Sequence, residues 1–263
     1  RADGRALNPG DEPALSLHLR IGALCNDSLL TCEDGFCSIF GDPTEGALVV
    51  AAAKAGMSKE KLESGFPRLD EIPFQSEKQY MATLHPGDGS RVAYVKGSAE
   101  RVLSMSRFRQ DGSVVAPLAP DDIAEIMQAN TAMAGEAMRV IATAYAELAG
   151  GQEDLSEEDL RGNLVFVGLS GMADPPREEA REAVRLCRQA GIKVVMITGD
   201  HKLTAESIAR QLELPQGRAV TGAELQAMSD EELSQQVEGI SVFARIEPLF
   251  KLRIVNAFKS RGH

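Results

Sequence analysis

The pattern of apolar and polar positions differs between the two halves of the chain. In the first half, helix-like spacing of apolar residues alternates with short strands, and a Gly/Asp turn at residues 86–90 joins the two strands of a predicted hairpin. The predicted elements are helices at 15–24, 47–55, 99–105 and 121–138, and strands at 36–40, 82–85, 91–95 and 140–145. A mixture of hairpins and helices is typical of an α+β unit with an antiparallel sheet.

The second half has a regular alternation of strands and helices. The predicted elements are strands at 164–172, 193–197 and 242–244, and helices at 178–190, 203–212 and 248–260. Such an alternation predicts a parallel sheet with helical crossovers, so the fold class of the whole chain is α/β.

A turn of Thr198, Gly199 and Asp200 follows the apolar run at residues 193–197, which has the β-branched composition of a strand buried on both faces. Because open α/β sheets bind ligands at the carboxyl ends of their strands, this turn would bring a hydroxyl, a carboxylate and backbone N–H groups to such a site. The same residues also fit an ordinary strand–turn–helix connection in which Gly199 supplies a positive φ. The local pattern alone favours the ordinary connection.

Composition and charge exclude several classes of partner and site. The 263 residues have a formal net charge of −11 without a compensating lysine/arginine cluster, so nucleic acid and anionic membranes are not expected as partners. The longest apolar runs, such as residues 47–53, are far shorter than the roughly 20 residues that cross a bilayer. The cysteines lack CxxC spacing, and we interpret them as reduced thiols, neither a zinc site nor a disulfide framework. They are Cys25, Cys32, Cys37 and Cys187.

Eight short motifs are spread over nearly the whole chain. They are Cys25-Asn26-Asp27, Gly41-Asp42-Pro43-Thr44-Glu45-Gly46, Pro73-Phe74 with Ser76-Glu77, Lys96-Gly97-Ser98, Arg139-Val140, Asp174-Pro175-Pro176-Arg177, Thr198-Gly199-Asp200, and Val242-Phe243-Ala244-Arg245 with Lys251. In type and order they resemble the motifs of the cation-transporting P-type ATPases, particularly the calcium-pump-like branch. Any one of them is short enough to occur by chance, whereas all of them in the family's order make the resemblance specific.

The resemblance implies two domains. Residues 1–162 would form an α+β nucleotide-binding domain with an antiparallel sheet, and residues 163–263 part of a haloacid-dehalogenase-like phosphorylation domain with a Rossmann-type parallel sheet. The family's nucleophilic aspartate lies in Asp-Lys-Thr-Gly-Thr, and its magnesium-binding sequence is Gly-Asp-Gly-x-Asn-Asp. Neither sequence occurs here, so the second domain would lack the nucleophile strand. We therefore expect this chain alone to bind ATP but neither to hydrolyse it nor to become phosphorylated.

The resemblance also assigns a nucleotide site. Family residues matched by Glu45, Phe74 and Lys96 surround the adenine, and a carboxylate acceptor, an aromatic face and a lysine suit a partly buried purine. Taken singly, Glu45 also fits a favourable charge near a helix N-terminus, Phe74 a core aromatic and Lys96 a surface cation. The residues expected to bind the nucleotide are Glu45, Phe74, Ser76, Lys78, Lys96, Gly97, Arg139, Asp174 and Arg245.

A second set of residues matches the family's phosphoryl-transfer site, where a loop touches the transferred phosphoryl group and a lysine neutralises its charge. These residues are Thr198, Gly199, Asp200 and Lys251. Arg139 matches an arginine that reaches the phosphates, where a bidentate guanidinium fits. Asp174 and Arg177 match the hinge between the two domains.

One position departs from the family pattern. The lysine that the family often has five residues after the phenylalanine is replaced here by Gln79. Lys78 lies one residue earlier, and the alternation of a strand would point it to the opposite face. A role for Lys78 in the nucleotide site is therefore poorly supported by its position.

The intact protein would be an enzyme that couples ATP hydrolysis, through Mg²⁺ and an aspartyl phosphate, to cation transport. Its partners would be ATP or ADP and the other domains and transmembrane helices of the pump, which places this chain on the cytoplasmic side of a membrane. Without the nucleophile strand, strands 164–172 and 194–197 would present an edge through which the chain could self-associate. The alternatives are a free-standing haloacid-dehalogenase-like phosphatase, although none of the predicted strands ends in Asp-x-Asp, and a non-catalytic interaction domain.

Overall fold

Three sheets and the helices that cover them make up the described structure. The computed structural model describes residues 9–33, 36–173 and 176–263. The strands are β1 (Leu29–Glu33), β2 (Phe36–Phe40), β3 (Asp70–Gln75), β4 (Tyr80–Pro86), β5 (Arg91–Gly97), β6 (Ser106–Asp111), β7 (Val114–Pro117), β8 (Arg139–Leu148), β9 (Leu164–Met172), β10 (Met196–Ile197), β11 (Arg218–Thr221) and β12 (Ile240–Ala244). The helices are α1 (Pro13–Leu24), α2 (Pro43–Lys54), α3 (Lys59–Gly65), α4 (Ala99–Met105), α5 (Pro120–Gly135), α6 (Glu157–Leu160), α7 (Glu178–Gln189), α8 (Lys202–Gln211), α9 (Gly222–Ala227), α10 (Asp230–Gln236) and α11 (Pro248–Ser260), with 3-10 turns at Pro9–Asp11 and Val237–Gly239.

The chain divides into two compact units. The first contains Arg1–Asn130 and Val140–Met172, and the second contains Thr131–Arg139 and Ala173–His263. The predicted mixture of α-helices with antiparallel and parallel strand pairs is confirmed at this level. The division into functional domains at residue 162 stays a prediction.

A seven-stranded sheet in the order β3-β4-β5-β8-β9-β6-β7 organises the first unit. The pairs β3–β4, β4–β5, β5–β8 and β6–β7 are antiparallel, and β6 pairs with β9 in parallel. Strand β4 is buried on both faces, because Tyr80 and Leu84 face one core while Met81 faces another that includes Ile21 and Leu24 of α1. Helix α1 therefore covers the Met81 face of the sheet.

The apolar strand β9 belongs to this first sheet, which corrects the prediction that residues 164–172 join the second sheet. Its first residues, Leu164 and Phe166, lie in the same core as Tyr80. An apolar run predicts burial but does not specify which sheet supplies the partner strand. Strand β9 lies between β8, which the sequence predicts, and β6, which has no alternation of apolar and polar residues to predict it.

The second unit contains a parallel sheet in the order β10-β12-β11. Strand β12 is central and buried along its whole length, with Phe243 facing one core and Val242 the other. The expectation of a strand buried on both faces at residues 193–197 is wrong, because only Met196 and Ile197 pair and both are half-buried. Strand β10 lies at the edge of this sheet, and β12 is the strand buried on both faces.

A disulfide joins Cys32 and Cys37, which corrects the interpretation of all four cysteines as reduced thiols. The two residues lie directly opposite each other in the antiparallel hairpin β1–β2, with their Cα atoms 4.1 Å apart. Two cysteines in register across a hairpin are close enough to bond regardless of any CxxC spacing. Cys25 and Cys187 are free, and burial raises the pKa of the Cys25 thiol.

Candidate functional site

The N-terminus of α2 positions Glu45. Asp42 caps this helix, because its Oδ1 accepts hydrogen bonds from the N–H groups of Thr44 at 2.8 Å and Glu45 at 3.2 Å. Pro43 occupies the first turn, where its missing N–H has no cost. Asp42 therefore fixes the start of the helix and holds Glu45 in its first turn.

Glu45 and Lys96 form a largely buried ion pair. Lys96 Nζ donates to Glu45 Oε1 at 2.7 Å, and the side chains are 5% and 17% exposed respectively. The backbone N–H of Asp27 donates to the other oxygen, Glu45 Oε2, at 2.8 Å. Both carboxylate oxygens thus accept a hydrogen bond, and Lys96 contributes charge assistance to one of them.

A bulge in β3 turns Phe74 toward the face of the sheet that holds Lys96. The strand pairs that flank the bulge are Ile72 with Ala82 and Gln75 with Tyr80. Pro73 and Phe74 therefore both oppose Met81, whose other cross-strand neighbour is Lys96. Proline is tolerated here because β3 is an edge strand and the position is a bulge. Phe74 remains 58% exposed, so its ring does not fill the core.

The end of β5 and the turn before β4 pack closely together. Gly97 has no room for a side chain, since a Cβ there would lie 2.5 Å from the carbonyl oxygen of Gln79. Gln79 has a φ of +60°, and its side-chain Oε1 accepts a hydrogen bond from Ser98 Oγ at 3.3 Å. Close packing therefore explains why position 97 is a glycine, whether or not Gly97 also contacts a ligand.

Two further predicted residues lie in the turn between β3 and β4. Ser76 is exposed there. Lys78 Nζ lies 2.7 Å from Glu157 Oε1, and this hydrogen bond raises the pKa of Lys78. Lys78 is thus engaged with Glu157 and is not part of the Glu45–Lys96 pair.

The loops that follow β10 and β12 meet at the carboxyl ends of the parallel strands. Thr198 Oγ1 donates to Asp200 Oδ2 at 2.7 Å, and the N–H of Asp200 donates to Thr198 Oγ1 at 3.1 Å. The N–H of Arg245 donates to the carbonyl of Asp200 at 3.0 Å, with Arg245 in the left-handed region at a φ of +52°. The predicted turn residues and Arg245 are thereby brought together. Gly199 is exposed beside them, and Lys251 is exposed on α11.

The remaining predicted residues are distributed elsewhere. Arg139 is the first residue of β8, is exposed and belongs to the second compact unit. Asp174 lies outside the described residues. Arg177 is the residue that precedes α7. Within the described ranges, no group of three or more His, Cys, Asp or Glu side chains could hold a metal ion.

A turn at Asn26 supports Glu45, and the sequence motifs alone do not indicate this role. Lys59 Nζ donates to the carbonyl of Asn26 at 2.6 Å, and Arg68 Nη2 donates to the same carbonyl at 2.8 Å. Burial lowers the pKa of Lys59. The only sequence signal for this arrangement is the Cys25-Asn26-Asp27 motif, which gives no contact by itself.

The chain matches a known protein family over most of its first unit and curated relatives over nearly its full length. The family model described as P-type ATPase, cytoplasmic domain N, matches residues 14–179. A cation-transporting ATPase of Synechocystis sp., pma1, is 45% identical over 97% of this chain. A probable cation-transporting ATPase F of Mycobacterium tuberculosis is 42% identical over 95%, and a calcium-transporting ATPase of Bacillus subtilis is 41% identical over 98%.

These relatives are much longer than this chain, which spans 28% of the length of the first two and 29% of the third. No helix in the described part of the chain is both long and apolar enough to pass through a membrane. The family model alone matches well over half of the chain, and it describes a cytoplasmic domain. The chain therefore belongs to the family of the P-type ATPase cytoplasmic domain N.

Proposed function

We propose that this chain binds ATP as the nucleotide-binding part of a P-type cation-transporting ATPase. The observation that supports this most directly is the buried Glu45–Lys96 pair on the same sheet face as the exposed ring of Phe74. An accessible aromatic ring and a largely buried ion pair on one face of a sheet can serve together in a ligand site. Phe74 and Lys96 come from an edge strand and a central strand of one sheet, and Glu45 comes from helix α2, which the ion pair joins to that sheet.

The chemistry of these groups suits an adenine base. The ring of Phe74 offers a face on which a purine can stack. Each oxygen of the Glu45 carboxylate has two lone pairs, and one described hydrogen bond to each leaves acceptor capacity for the adenine amino group. Lys96 has three donors, and its described hydrogen bond to Glu45 uses one of them. Ser76 and Gly97 would border the same nucleotide, while the Glu157 contact argues against Lys78.

The second unit would act on the phosphate end of the nucleotide. Thr198, Gly199 and Asp200 would contact the transferred phosphoryl group, and Lys251 would neutralise its charge. We assign Arg139 and Arg245 to the phosphates, and Asp174 with Arg177 to the hinge. In this proposal residues 1–162 form the nucleotide-binding domain and residues 163–263 form part of a haloacid-dehalogenase-like phosphorylation domain, except that strand β9 pairs in the sheet of the first unit.

The parent protein would be a cation-translocating ATP hydrolase that forms an aspartyl phosphate. The names of the relatives, which include cation-transporting and calcium-transporting ATPases, support transport of a cation. The family's magnesium-binding Gly-Asp-Gly-x-Asn-Asp does not occur in this sequence, so in this proposal other residues of the parent hold Mg²⁺. The further domains of the parent would be the partners of this one.

Titration of the chain with ATP in the absence of Mg²⁺, followed by NMR, tests the nucleotide site. We expect a Kd of about 1 mM, about −4 kcal/mol, because only part of the ligand finds partners. Phe74→Ala should weaken binding by about tenfold or more, since it removes the stacking face. Phe36→Ala is the matched control, because Phe36 is 83% exposed on a different strand. Equal affinities of the Phe74→Ala variant and the wild type would reject the assigned site.

A separate measurement tests the proposed lack of chemistry in this chain alone. Incubation with γ-labelled ATP and Mg²⁺ should leave no acid-stable label on the purified protein, because the sequence contains no Asp-Lys-Thr-Gly-Thr nucleophile. Stable labelling would show that another residue of the chain accepts the phosphoryl group.

A further inference from the structure

The side chain of Asn26 connects helix α1 to helix α2, which carries Glu45. It is fully buried, and its Nδ2 donates to the carbonyl of Gly22 in α1 and to the carbonyl of Glu45 in α2, both at 2.8 Å. Its Oδ1 accepts from the N–H of Ser28 at 2.9 Å. Both amide hydrogens and the carbonyl oxygen of the side chain are thus used. A side chain of different shape could not make these three bonds together.

The backbone carbonyl of Asn26 is held from another direction by two cations. Lys59 Nζ lies 2.6 Å from this oxygen and Arg68 Nη2 lies 2.8 Å from it. Lys59 also donates to the carbonyl of Ser28 at 2.9 Å, and Arg68 Nη1 donates to Asp27 Oδ1 at 2.7 Å. The turn from Asn26 to Ser28 is therefore fixed on both sides by charge-assisted hydrogen bonds.

The peptide plane transmits this restraint to Glu45. The carbonyl of Asn26 and the N–H of Asp27 belong to the same trans peptide unit, so they point in opposite directions. When the carbonyl is held by Lys59 and Arg68, the N–H is aimed at Glu45 Oε2, which it reaches at 2.8 Å. The two cations also polarise the peptide unit and so strengthen the N–H as a donor.

We infer that Asn26 is a positioning residue for nucleotide recognition, which acts through the Asp27 N–H to fix the carboxylate of Glu45. The inference rests on the proposed function. Lys96 holds one oxygen of that carboxylate and the Asp27 N–H holds the other, so the plane of the carboxylate is set before any ligand arrives. Its remaining lone pairs then face a fixed direction, in which they accept from the amino group of adenine.

A positioning role and a merely structural role would affect different sets of ligands. If Asn26 acts through Glu45, its loss weakens only ligands that have a 6-amino group. If it supports the fold alone, its loss weakens every nucleotide to the same extent. Immobilising one flexible side chain corresponds to about a three- to tenfold change in affinity.

The test compares the Kd of ATP with the Kd of purine riboside triphosphate, which lacks the 6-amino group. The wild type should prefer ATP, and Glu45→Gln should reduce that preference. In Asn26→Ala we expect ATP to bind about three- to tenfold more weakly, with the affinity for purine riboside triphosphate unchanged. An unchanged preference for ATP in Asn26→Ala, or an equal loss for both ligands, would overturn the inference.

A second variant covers the case in which Asn26→Ala does not fold. Lys59→Met acts on the same peptide unit from the other side, and it should also reduce the preference for ATP. Lys61→Met is the matched control, because Lys61 lies on the same helix and is exposed. A Lys59→Met variant with the same preference as Lys61→Met would overturn the inference.

The wild-type affinities for the two nucleotides distinguish failure of this inference from failure of the proposed function. Failure of the wild type to bind ATP, or equal wild-type affinity for the two nucleotides, would count against the proposed role of Glu45 itself. A wild type that prefers ATP, together with an Asn26→Ala variant that retains the preference, would leave that role intact and reject only the inference.

Discussion

Glu45 Oε1 lies 2.7 Å from Lys96 Nζ, although 51 residues separate the two in the sequence. The contact joins the first turn of α2 to the C-terminal end of β5. Only a small fraction of either side chain is accessible to water. In such surroundings each charge depends on the other, because neither is well hydrated. Removal of one partner should therefore destabilise the first unit as well as alter its proposed site.

Lys96→Met should destabilise the first unit by about 2 kcal/mol, because it leaves the Glu45 carboxylate with only the Asp27 N–H and limited access to water. Urea unfolding measures this directly. The double variant Glu45→Leu/Lys96→Met removes both charges and should recover at least half of the loss. A single variant as stable as the wild type would show that water already satisfies the carboxylate.

Gly97→Ala should destabilise the first unit by about 1–3 kcal/mol, as expected for overpacking against a rigid neighbour. The added Cβ would lie 2.5 Å from the backbone carbonyl of Gln79, which can move only if the β4–β5 pairing shifts. Thermal unfolding measures the effect. Gly65→Ala is the control, because a Cβ there meets nothing within 4 Å and no change beyond a few tenths of a kcal/mol is expected. Equal stability of the two variants would contradict the close packing of Gly97.

Local signals in the sequence predict the helices better than the sheets. The helices predicted at 99–105 and 248–260 coincide with α4 and α11, because Ser98 caps the first and Pro248 begins the second. The partner of a strand is not a local property. Strand β9 lies between β8 and β6 in the first sheet, and although the sequence predicts β8, no local pattern shows that β9 pairs with it.

In the candidate site, too, the sequence predicts the residues but not the contacts between them. Glu45, Phe74 and Lys96 are predictable because their side chains occur in recognisable motifs. The bulge that places Phe74 on the same sheet face as Lys96 depends on the register of β3 against β4, which no local pattern specifies. The support from Asn26 is equally hidden, because its cationic partners bind a backbone carbonyl that every residue possesses.

The stability of the first unit should fall in acid because of His18. Its Nδ1 lies 2.7 Å from Thr143 Oγ1 and its Nε2 lies 2.6 Å from Ser170 Oγ, and burial lowers its pKa from 6.5 to about 4. The unfolded chain binds a proton near pH 6.5 while the folded one stays neutral until about pH 4. Stability is therefore lost as the pH falls through this window, by about 3 kcal/mol in total.

The difference between the wild type and His18→Gln isolates this effect from the carboxylates. Glutamine has no titrating group, so urea unfolding at pH 7.5 and pH 4.5 should show a smaller loss of stability in the variant. Parallel pH dependences of the two proteins would show that His18 is not the group responsible.

The Cys32–Cys37 disulfide predicts a specific thiol count. The unfolded, unreduced protein should show two reactive thiols, from Cys25 and Cys187, and the reduced protein should show four. The bond closes a very short loop, and the chain-entropy relation gives a stabilisation of about 2 kcal/mol at most. A double replacement of both cysteines by serine should lower the unfolding free energy by no more than this. Four thiols before reduction would contradict the disulfide.

The second unit has an incomplete sheet edge within the described residues. Strand β10 pairs with β12 on one side, and the described strands give it no partner on the other. Helix α7 has none of its residues buried, and Ile192 in the following turn is 60% exposed. In contrast, every residue of β12 is buried. Such an edge is a template for pairing with another chain, although the shortness of β10 limits the area available.

We therefore expect amide hydrogen exchange to be graded across the second unit, fast in α7 and β10 and slow in β12. The physical reason is that exchange by local opening costs little where few apolar groups are buried, and approaches the global unfolding free energy in the core. Light scattering on the same samples should show association that rises with concentration, since the free edge of β10 can pair with a second copy. Ile192→Lys should reduce that association, because a lysine beside an edge strand opposes edge-to-edge pairing. Uniformly slow exchange across α7, β10 and β12, together with a monomer at every concentration, would show that this edge is already closed in solution.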